Sequence, residues 1–505
     1  MSAERKRFLA AIAEHARARP DRIALDDGQV RLSYGELLAE VDRRRERLAA
    51  RNARRVGLAL DNGLEWALWD LALLSDERVA VPVPGFFSAS QRKHLVASAG
   101  LDGWIGAGFE ATALGFAPSD DAAIACRTVS RPPEMHAGTA KITFTSGTSG
   151  APKGVCLDNT AMLRVAESIA TLVAPLDIRR HLAMLPLATL LENIGGLYVP
   201  LWLGASCHLP NIATLGWQGA SGFCPRTAMS VIESVKPQSL ILVPQLLQAL
   251  LAVAPEAPES LSFVAAGGAR LAPALLAQAQ ERGWPVFEGY GLSECASVVC
   301  LNRPGEPAHG VGRPLPHAKV RLSTNGDVEI SGAAMLGYLG EAPIGDWYSS
   351  GDLGRLVSYP DGERLHLDGR RREVFITAYG RNVDPQWVES ELTLQPMIAQ
   401  ALVHGEALDH NRALIVPREP STDDATLAAA ISAANARLPD YARVHAWRRT
   451  TPFTPANDQL TANGRLRRAS VFEAYRDWLS AETESTVTPT PASAPPSFDT
   501  TGAAS

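Results

Sequence analysis

Residues 143–154 read Thr-Phe-Thr-Ser-Gly-Thr-Ser-Gly-Ala-Pro-Lys-Gly, a stretch with five hydroxyl side chains, three glycines and one lysine. Glycines let consecutive backbone N–H groups turn toward a guest, and such a run of N–H groups forms a nest for anions. The hydroxyls add donors that suit phosphate oxygens, and Lys153 adds a mobile positive charge. The stretch therefore predicts a loop that binds a polyphosphate. The alternative, a flexible Ser/Gly linker, does not usually end in Pro-Lys-Gly.

A second group of polar side chains follows a predicted strand at residues 286–288. The segment Glu288-Gly289-Tyr290-Gly291-Leu292-Ser293-Glu294 offers an aromatic ring, a hydroxyl and a carboxylate. In an open α/β sheet, ligands bind outside the carboxyl ends of the strands. The three chemical groups suit a purine, a phosphate and Mg²⁺, respectively. The alternative is a strand–turn–helix in which the serine only caps the helix.

A third candidate is Asp352, which ends the sequence Ser349-Ser350-Gly351-Asp352. An ionised aspartate only accepts hydrogen bonds, and this suits the two hydroxyls of a ribose. Alone, a Ser-Gly-Asp turn means little, so its weight depends on the motifs around it. Further segments are Gly267-Gly268-Ala269, Asp368-Gly369-Arg370-Arg371-Arg372-Glu373 and Leu460-Thr461-Ala462-Asn463-Gly464-Arg465-Leu466-Arg467-Arg468.

Taken in order along the chain, these motifs resemble those of the adenylate-forming, AMP-binding enzyme superfamily. The loop at residues 143–154 is the most specific of them, and it differs from the Walker loop, which ends in a Lys-Ser/Thr pair entering a helix. Two segments are most similar to the fatty acyl-CoA synthetases: Leu185-Pro186-Leu187 and Tyr379-Gly380-Arg381-Asn382-Val383-Asp384-Pro385.

The resemblance implies a role for each matched position. Tyr290 stacks on adenine, Ser293 touches the α-phosphate, Asp352 holds the ribose and Glu294 holds Mg²⁺. Gly380 lies in a turn that helps line the thioester-forming tunnel in relatives. The residues implied to bind ATP are Thr145, Ser146, Gly147, Thr148, Ser149, Gly150, Lys153, Gly267, Gly268, Ala269, Glu288, Gly289, Tyr290, Ser293, Asp352 and Arg370. The implied catalytic residues are Lys153, Glu294 and Arg465.

Two positions depart from the family pattern. Many fatty acyl-CoA synthetases have histidine where Thr189 stands, and relatives usually have lysine where Arg465 stands. Because arginine is a planar fork and lysine a compact point charge, the second exchange leaves two hypotheses open. Either Arg465 stabilises charge during adenylation, or the protein binds nucleotide without catalysis. The segment 185–193 holds no aspartate for a substrate amine, which disfavours an α-amino acid.

The implied reaction has two steps. The carboxylate of an acid, expected to be a fatty acid, attacks the ATP α-phosphate and gives an acyl-adenylate and pyrophosphate. A thiol, expected to be CoA, then takes the acyl group. The predicted cofactors are therefore ATP, Mg²⁺ and CoA. The alternative enzyme is an acyl- or aryl-AMP ligase that shares the ATP motifs and loads an acyl carrier protein.

Composition narrows the class of protein. The 505 residues are 46% hydrophobic and 20% charged, with a net charge of −6, which gives no indication of a nucleic-acid partner. Six cysteines without a CxxC pair indicate reduced thiols. No secretory signal or spanning helix is recognised, so a cytoplasmic protein is expected. A basic helix after Ser33 is interpreted as a solvated face, and weak contact with an anionic membrane surface is the alternative.

Alternating strand and helix patterns before and after the loop predict an α/β protein with parallel-type sheets. Residues 319–367 indicate short strands with turns at Asn325-Gly326 and Asp361-Gly362, typical of a small β-rich subdomain. The charged segment 369–372 predicts a domain boundary. We therefore expect an AMP-binding domain over residues 1–368 and a small mobile α+β lid domain over residues 369–480. Residues 481–505, rich in Thr, Pro, Ser and Ala, are expected to be a disordered tail.

Overall fold

The structure is a computed structural model, and it describes residues 2–121, 123–145, 152–218, 222–379, 381–461 and 464–480. The predicted tail, residues 481–505, lies outside these ranges. So do six of the predicted ligand-binding positions: Ser146, Gly147, Thr148, Ser149, Gly150 and Gly380. The remaining predicted positions can be placed in the fold.

The strands are mostly short, and those of the large sheets alternate with helices. In chain order they are β1 Ile23–Asp26, β2 Arg31–Ser33, β3 Arg55–Ala59, β4 Val79–Pro82, β5 Gly103–Gly106, β6 Ala117–Pro118, β7 Ile124–Cys126, β8 Lys141–Thr145, β9 Lys153–Leu157, β10 Arg180–Leu182, β11 Ser206–His208, β12 Trp217–Gln218, β13 Gly222–Phe223, β14 Ser239–Leu242, β15 Phe263–Ala266, β16 Val286–Leu292, β17 Ser297–Leu301, β18 Arg313–Pro314, β19 Ala318–Leu322, β20 Asp327–Gly332, β21 Gly337–Tyr338, β22 Tyr348–Tyr359, β23 Gly362–Arg370, β24 Phe375–Ile376, β25 Asn382–Val383, β26 Ile398–His404, β27 Asn411–Pro417 and β28 Val444–Arg449.

The helices are α1 Ala3–Ala18, α2 Tyr34–Ala49, α3 Leu64–Ser75, α4 Ala89–Ala99, α5 Gly108–Ala113, α6 Asn159–Val173, α7 Leu190–Glu192, α8 Val199–Leu203, α9 Pro225–Val235, α10 Pro244–Leu251, α11 Pro273–Glu281, α12 Pro385–Thr393, α13 Asp424–Asn435, α14 Arg468–Ala474 and α15 Arg476–Ser480. A π-helical segment, Asn193–Tyr198, joins α7 to α8. Within the described ranges, no helix has the length and apolar character needed to cross a membrane.

Two large sheets form the main domain. One has the order β18-β17-β16-β15-β14-β10-β11-β1-β2, and the other has the order β21-β9-β8-β4-β3-β5-β7-β6. The central neighbours of both sheets are parallel, as the strand–helix alternation predicts. Helices α3 and α6 lie between the sheets and share one hydrophobic core with them. Because β14, β15 and β16 are parallel, their carboxyl ends lie at the same edge of the first sheet.

Two smaller units complete the fold. Strands β19, β20, β22 and β23 form the predicted β-rich unit, and β26, β27 and β28 form a sheet in the C-terminal unit. Helices α12 and α13 pack on that last sheet around their own hydrophobic core. The predicted α/β fold class, with its small β-rich subdomain and its α+β C-terminal unit, is confirmed. The exact boundaries at residues 368 and 480 stay predictions.

Local sequence signals explain where several elements begin. Ser33 starts α2 with a capping box, in which the Glu36 carboxylate accepts from the Ser33 backbone N–H at 2.9 Å. The arginines of α2 are tied to neighbouring carboxylates, among them Arg47, whose Nη2 lies 2.6 Å from Asp121 Oδ1. Pairing of this kind supports the solvated-face interpretation of the helix. The helix ends at Ala49, several residues earlier than the sequence suggested.

Candidate active site

One large cavity lies at the carboxyl ends of β14, β15 and β16, where the large domain meets the small one. Its volume is about 2340 Å³. Three other predicted residues that the structure describes, Thr145, Lys153 and Glu294, do not line it. The cavity brings together predicted residues that are far apart in the sequence: Gly267, Gly268, Ala269, Glu288, Gly289, Tyr290, Ser293, Asp352, Arg370 and Arg465.

Asp352 is held in the cavity wall by two partners. The Tyr290 hydroxyl donates to its Oδ2 at 2.6 Å, and Arg370 Nε lies 3.0 Å from its Oδ1. Antiparallel pairing of β22 with β23 puts Asp352 directly opposite Arg370. Burial and the Asp352 charge raise the pKa of Tyr290 well above its usual value, so the phenol keeps its proton and donates. The carboxylate is thus fixed in one orientation before any ligand arrives.

Arg465 reaches the same cavity from the small domain. Its turn is closed by two hydrogen bonds, because Thr461 N donates to the Arg465 carbonyl at 2.7 Å and Arg465 N donates to Thr461 Oγ1 at 2.9 Å. The guanidinium Nη2 donates to the Gly268 carbonyl at 3.0 Å. Burial and the neighbouring Arg370 cation lower the pKa of Arg465, against opposing effects of Glu294 and Asp352 among others. Two cations therefore converge on the mouth of the cavity.

Glu294 lies in the short 3₁₀ turn Ser293–Cys295 that follows β16. The Tyr338 hydroxyl donates to Glu294 Oε1 at 2.8 Å, and burial raises the pKa of Tyr338 to about 12. The Lys153 ammonium lies 4.8 Å from the centre of the Tyr338 ring. This contact follows from the register, since Tyr338 of β21 stands opposite Val155 of β9. Tyr338 thus lies between the predicted metal ligand and the predicted phosphate-loop lysine.

The flanks of the predicted phosphate loop form one end of a strand pair. Thr145 and Lys153 are the last partners in the antiparallel pairing of β8 with β9, and residues 146–152 separate them in the sequence. Lys153 Nζ lies 2.8 Å from Glu341 Oε1, with 48% and 50% of the two side chains exposed. Exposed ion pairs contribute roughly 0–1 kcal/mol. Lys153 can therefore exchange Glu341 for a phosphate at little cost.

Glu294 fits the predicted role in Mg²⁺ binding. Its Oε2 makes no hydrogen bond to the part of the chain that the structure describes, whereas Oε1 is fixed by Tyr338. No cluster of three or more metal-ligating side chains occurs among the described residues. A single carboxylate is enough for Mg²⁺, which is usually held by one or two carboxylates together with substrate phosphates and water.

Contacts across the domain boundary were not anticipated from the sequence. Arg270 Nη1 pairs with Asp384 Oδ2, and the Arg270 guanidinium lies 6.0 Å from the centre of the Trp387 ring. Asp384 also caps α12 by accepting from Gln386 N at 3.0 Å. The Asp-Pro dipeptide was a readable helix-start signal. Nothing in the sequence indicated that Arg270, one residue beyond the predicted adenine-side loop, would reach it.

Glu288 has the most unusual environment of the predicted residues. Burial raises its pKa to about 7, although the Arg270 cation acts in the opposite direction. The Glu288 backbone carbonyl accepts from both the N–H and the side-chain amide of Asn302, each at 3.0 Å. These bonds hold β16 at the point where it stops pairing with β15 and begins to pair with β17. The residue therefore links the cavity to the domain boundary through Arg270.

The deeper part of the cavity is mostly apolar. It continues between the first sheet and the helices α6 and α8, away from the polar mouth. Aliphatic and aromatic side chains dominate its walls: Ile169, Val173, Val199, Leu203, Ile241 and Phe263. The Phe263 ring stacks on Phe287, with 5.0 Å between the ring centres. The cavity thus combines a charged mouth with an apolar branch that extends under the helices.

Comparison with known proteins shows which family the chain belongs to. The model of the AMP-binding enzyme family matches residues 12–333, and the model of the AMP-binding enzyme C-terminal domain matches residues 372–483. Both matched segments contribute residues to the cavity. The predicted resemblance to adenylate-forming enzymes is confirmed.

Among curated proteins, the chain is similar to the long-chain-fatty-acid–CoA ligase FadD15 of Mycobacterium bovis, with 35% identity over 157 residues. That match covers 30% of this chain and only 26% of the relative, so the chain spans about a quarter of that protein. The 2-succinylbenzoate–CoA ligase of Bacillus subtilis is 25% identical over 434 residues, which cover 78% of this chain and 84% of that ligase.

Solved structures share the fold. The o-succinylbenzoate CoA synthetase of Bacillus subtilis, in complex with its acyl-adenylate intermediate, has a TM-score of 0.73 at 23% identity. That match covers 91% of this chain and 97% of the solved one. The anthranilate CoA ligase AuaEII, in complex with anthranoyl-AMP, has a TM-score of 0.74 at 19% identity, covering 92% and 97%. On the matched segments and the shared fold, the chain belongs to the AMP-binding enzyme family.

Proposed function

We propose that the protein is an acid–thiol ligase of the AMP-forming acyl-CoA synthetase type, and that its acid is a fatty acid. One observation carries the proposal: the cavity that holds Asp352, Arg370 and Arg465 at its mouth continues into an apolar branch. A carboxylate with a long apolar tail matches both parts at once, since binding sites combine apolar walls with a few placed polar groups. The likeness to FadD15 supports the same acid class.

Each polar group at the mouth has a task in adenylation. Asp352, whose carboxylate accepts a hydrogen bond from Tyr290, would accept further hydrogen bonds from the ribose hydroxyls. Arg465 is placed to neutralise negative charge shared between the acid carboxylate and the α-phosphate of ATP, and such fixed charges favour the transition state. Glu294 would hold Mg²⁺, which would add positive charge at the phosphates. Lys153, whose ion-pair partner Glu341 is half exposed, is available to the phosphates.

Thioester formation needs a different arrangement of the small domain. Tyr379, which follows β24, is 73% exposed to solvent. Gly380, the next residue, is proposed to line the path of the CoA thiol after the small domain has rotated about residues 370–372. The domain division at residue 368 belongs to this proposal.

Pyrophosphate release with a panel of carboxylic acids, with ATP and Mg²⁺ and with or without CoA, tests the proposal. We expect release with saturated long-chain acids and formation of the acyl-CoA thioester when CoA is added. Release without thioester formation would instead favour an acyl- or aryl-AMP ligase, and an acyl carrier protein would then replace CoA. No release with any acid would favour a protein that only binds nucleotide.

A further inference from the structure

Two neighbouring strands contribute polar side chains to the wall of the cavity. His181 of β10 and Ser239 of β14 stand side by side in the parallel register, and both line the cavity. His181 Nδ1 lies 2.9 Å from Ser239 Oγ, and His181 Nε2 lies 2.9 Å from Glu192 Oε1. His181 is 2% exposed and Ser239 is 7% exposed. We call these three residues the polar triad.

Both carboxylate oxygens of Glu192, the acidic member of the polar triad, have hydrogen-bond partners. Glu192 Oε2 accepts from the Leu185 backbone N–H at 3.0 Å, and Oε1 is bound to His181. The close approach depends on Gly196 of the π-helical segment, because a Cβ there would lie 1.9 Å from Glu192 Oε1. Glu192 is 0% exposed. It is therefore a fixed support for the imidazole and does not face a ligand.

Ser239 is the member of the polar triad with capacity to spare. Its hydroxyl can donate one hydrogen bond and accept others. If His181 Nδ1 carries a proton, Ser239 accepts from it and its own O–H remains free to donate. If Nδ1 is bare, Ser239 donates to it and keeps a lone pair. In the described part of the chain, His181 is the one partner that the Ser239 hydroxyl has. The remaining hydrogen-bonding capacity of the Ser239 hydroxyl is therefore available to a ligand on the cavity side.

The apolar side chains that line the same cavity would make the polar triad selective for one position along an acyl chain. Below and beside the polar triad, the cavity is lined by Ile169, Val173, Ile178, Val199 and Leu203. These side chains offer no hydrogen bond to a ligand. A polar substituent on an acyl chain would therefore be stabilised at Ser239 and would pay a desolvation penalty at other depths.

The sheet register gives the depth of the polar triad. Ser239 stands opposite Phe263, and Ala266 stands opposite Glu288, so Ser239 lies two strands across and three residues below Glu288. Strands about 4.8 Å apart and residues about 3.3 Å apart make this separation about 14 Å.

We propose that the polar triad is a subsite for a hydroxyl or oxo group carried by the acyl chain, at a distance from the carboxylate. The subsite rests on the proposed acyl-CoA synthetase function and names the acid class more closely: long-chain acids with one neutral, hydrogen-bonding substituent in the middle of the chain. Ser239 makes the hydrogen bond, and His181 and Glu192 orient Ser239.

The test compares acids of equal length, one saturated and the others hydroxylated at successive carbons. The readout is kcat/KM for pyrophosphate release together with the dissociation constant of each acid measured by calorimetry on the full-length protein. We expect the wild type to favour hydroxylation at one position in the middle of the chain by about five- to tenfold over the saturated acid, as one added hydrogen bond allows. In Ser239→Ala this ratio should fall to about one.

Val199→Ala is the matched control, because it trims an apolar wall of the same branch. It should weaken the binding of hydroxylated and saturated acids alike and keep their ratio. A wild type with no positional preference, or a Ser239→Ala variant that keeps the wild-type ratio, would overturn the subsite. If saturated acids are adenylated without any preference, the subsite fails and the synthetase function stands. If no acid is adenylated, the calorimetric ratios still decide the subsite.

Discussion

Arg465 and Gly268 are joined by a hydrogen bond that crosses the boundary between the two domains, from a guanidinium Nη2 to a backbone carbonyl 3.0 Å away. The two residues are 197 positions apart in the chain. The bond places a permanent cation beside the loop implied to flank adenine, within the electrostatic reach of Asp352 and Glu294. On the function proposed above, this conformation is the one expected for adenylation.

Arg465→Ala should lower the rate of acyl-adenylate formation by a hundredfold or more, since removing one charge-stabilising donor costs on that order. Thioester formation from supplied acyl-adenylate should be nearly unchanged, because the small domain has rotated by then. Arg465→Lys restores a cation and should recover most of the activity. Pyrophosphate release by the three proteins, with separate turnover of synthetic acyl-adenylate and CoA, measures both steps. Equal losses in both steps would contradict the assignment.

Asp352→Ala should weaken the binding of ATP and AMP together by at least about tenfold, because both carry the same ribose. The change also leaves the Tyr290 hydroxyl and Arg370 without their shared acceptor. Isothermal titration with AMP measures the effect without any turnover. Asp361→Asn, at the far turn of the same strand pair, is the control and should bind AMP as the wild type does. Normal AMP binding by Asp352→Ala would show that the ribose lies elsewhere.

Lys153→Ala should raise the KM for ATP by roughly tenfold or more, the equivalent of about 1.4 kcal/mol. Glu341→Gln removes only the exposed partner of Lys153, so it should leave protein stability within about 1 kcal/mol and keep or lower that KM. Steady-state kinetics with varied ATP and urea unfolding of both variants provide the comparison. An unchanged KM in Lys153→Ala would remove this lysine from the phosphate site.

Breaking the pair between Arg270 and Asp384 should slow adenylation by about tenfold and leave thioester formation less affected, because the pair joins the two domains in the arrangement that we propose for adenylation. The single variants Arg270→Gln and Asp384→Asn and their double variant form a cycle, and residues in contact are expected to be non-additive. Arg449→Gln, which breaks an exposed pair with Asp424 inside the small domain, is the control. Additive effects on pyrophosphate release would argue against a functional link.

Glu288 should make folding stability depend on pH in an unusual direction. Its pKa rises from 4.5 to about 7 on burial, so the folded protein keeps a proton that the unfolded chain has lost. Stability should therefore fall as the pH rises from about 4.5 to 7, by up to about 3 kcal/mol from this residue. Glu288→Gln should remove that loss, and Glu281→Gln, on the surface, should not. Urea unfolding at pH 5.5 and 8 measures the difference.

Regular patterns in the sequence were enough to predict the fold class and most of the elements. The helix Leu64–Ser75 and the strand Phe263–Ala266 have the bounds that their patterns indicate. The predicted strand at residues 286–288 was too short, because β16 continues to Leu292. Gly289 and Gly291 interrupt the apolar pattern, and pairing with β17 supplies the hydrogen bonds that extend the strand.

The candidate site was predictable where one residue type has one chemical use. Asp352, Tyr290 and Arg465 come together in the cavity, as their motifs indicated. The contacts of Arg270 with Asp384 and of Tyr338 with Glu294 were not predictable, since each joins segments that only tertiary packing brings together. The polar triad was also missed. His181 and Ser239 lie in strands that resemble no motif, and Glu192 lies in the segment 185–193, where only an aspartate was sought.

The Arg270 guanidinium lies 6.0 Å from the centre of the Trp387 ring, so tryptophan fluorescence can report how the two domains are arranged. An indole that leaves a nearby guanidinium and enters water changes its emission, so rotation of the small domain should be visible as a change in intrinsic fluorescence. Trp387 is one of ten tryptophans in the chain. Its replacement by phenylalanine would identify its share of the signal. Rotation could then be timed in a stopped-flow instrument, on unlabelled protein, between the addition of ATP with acid and the addition of CoA.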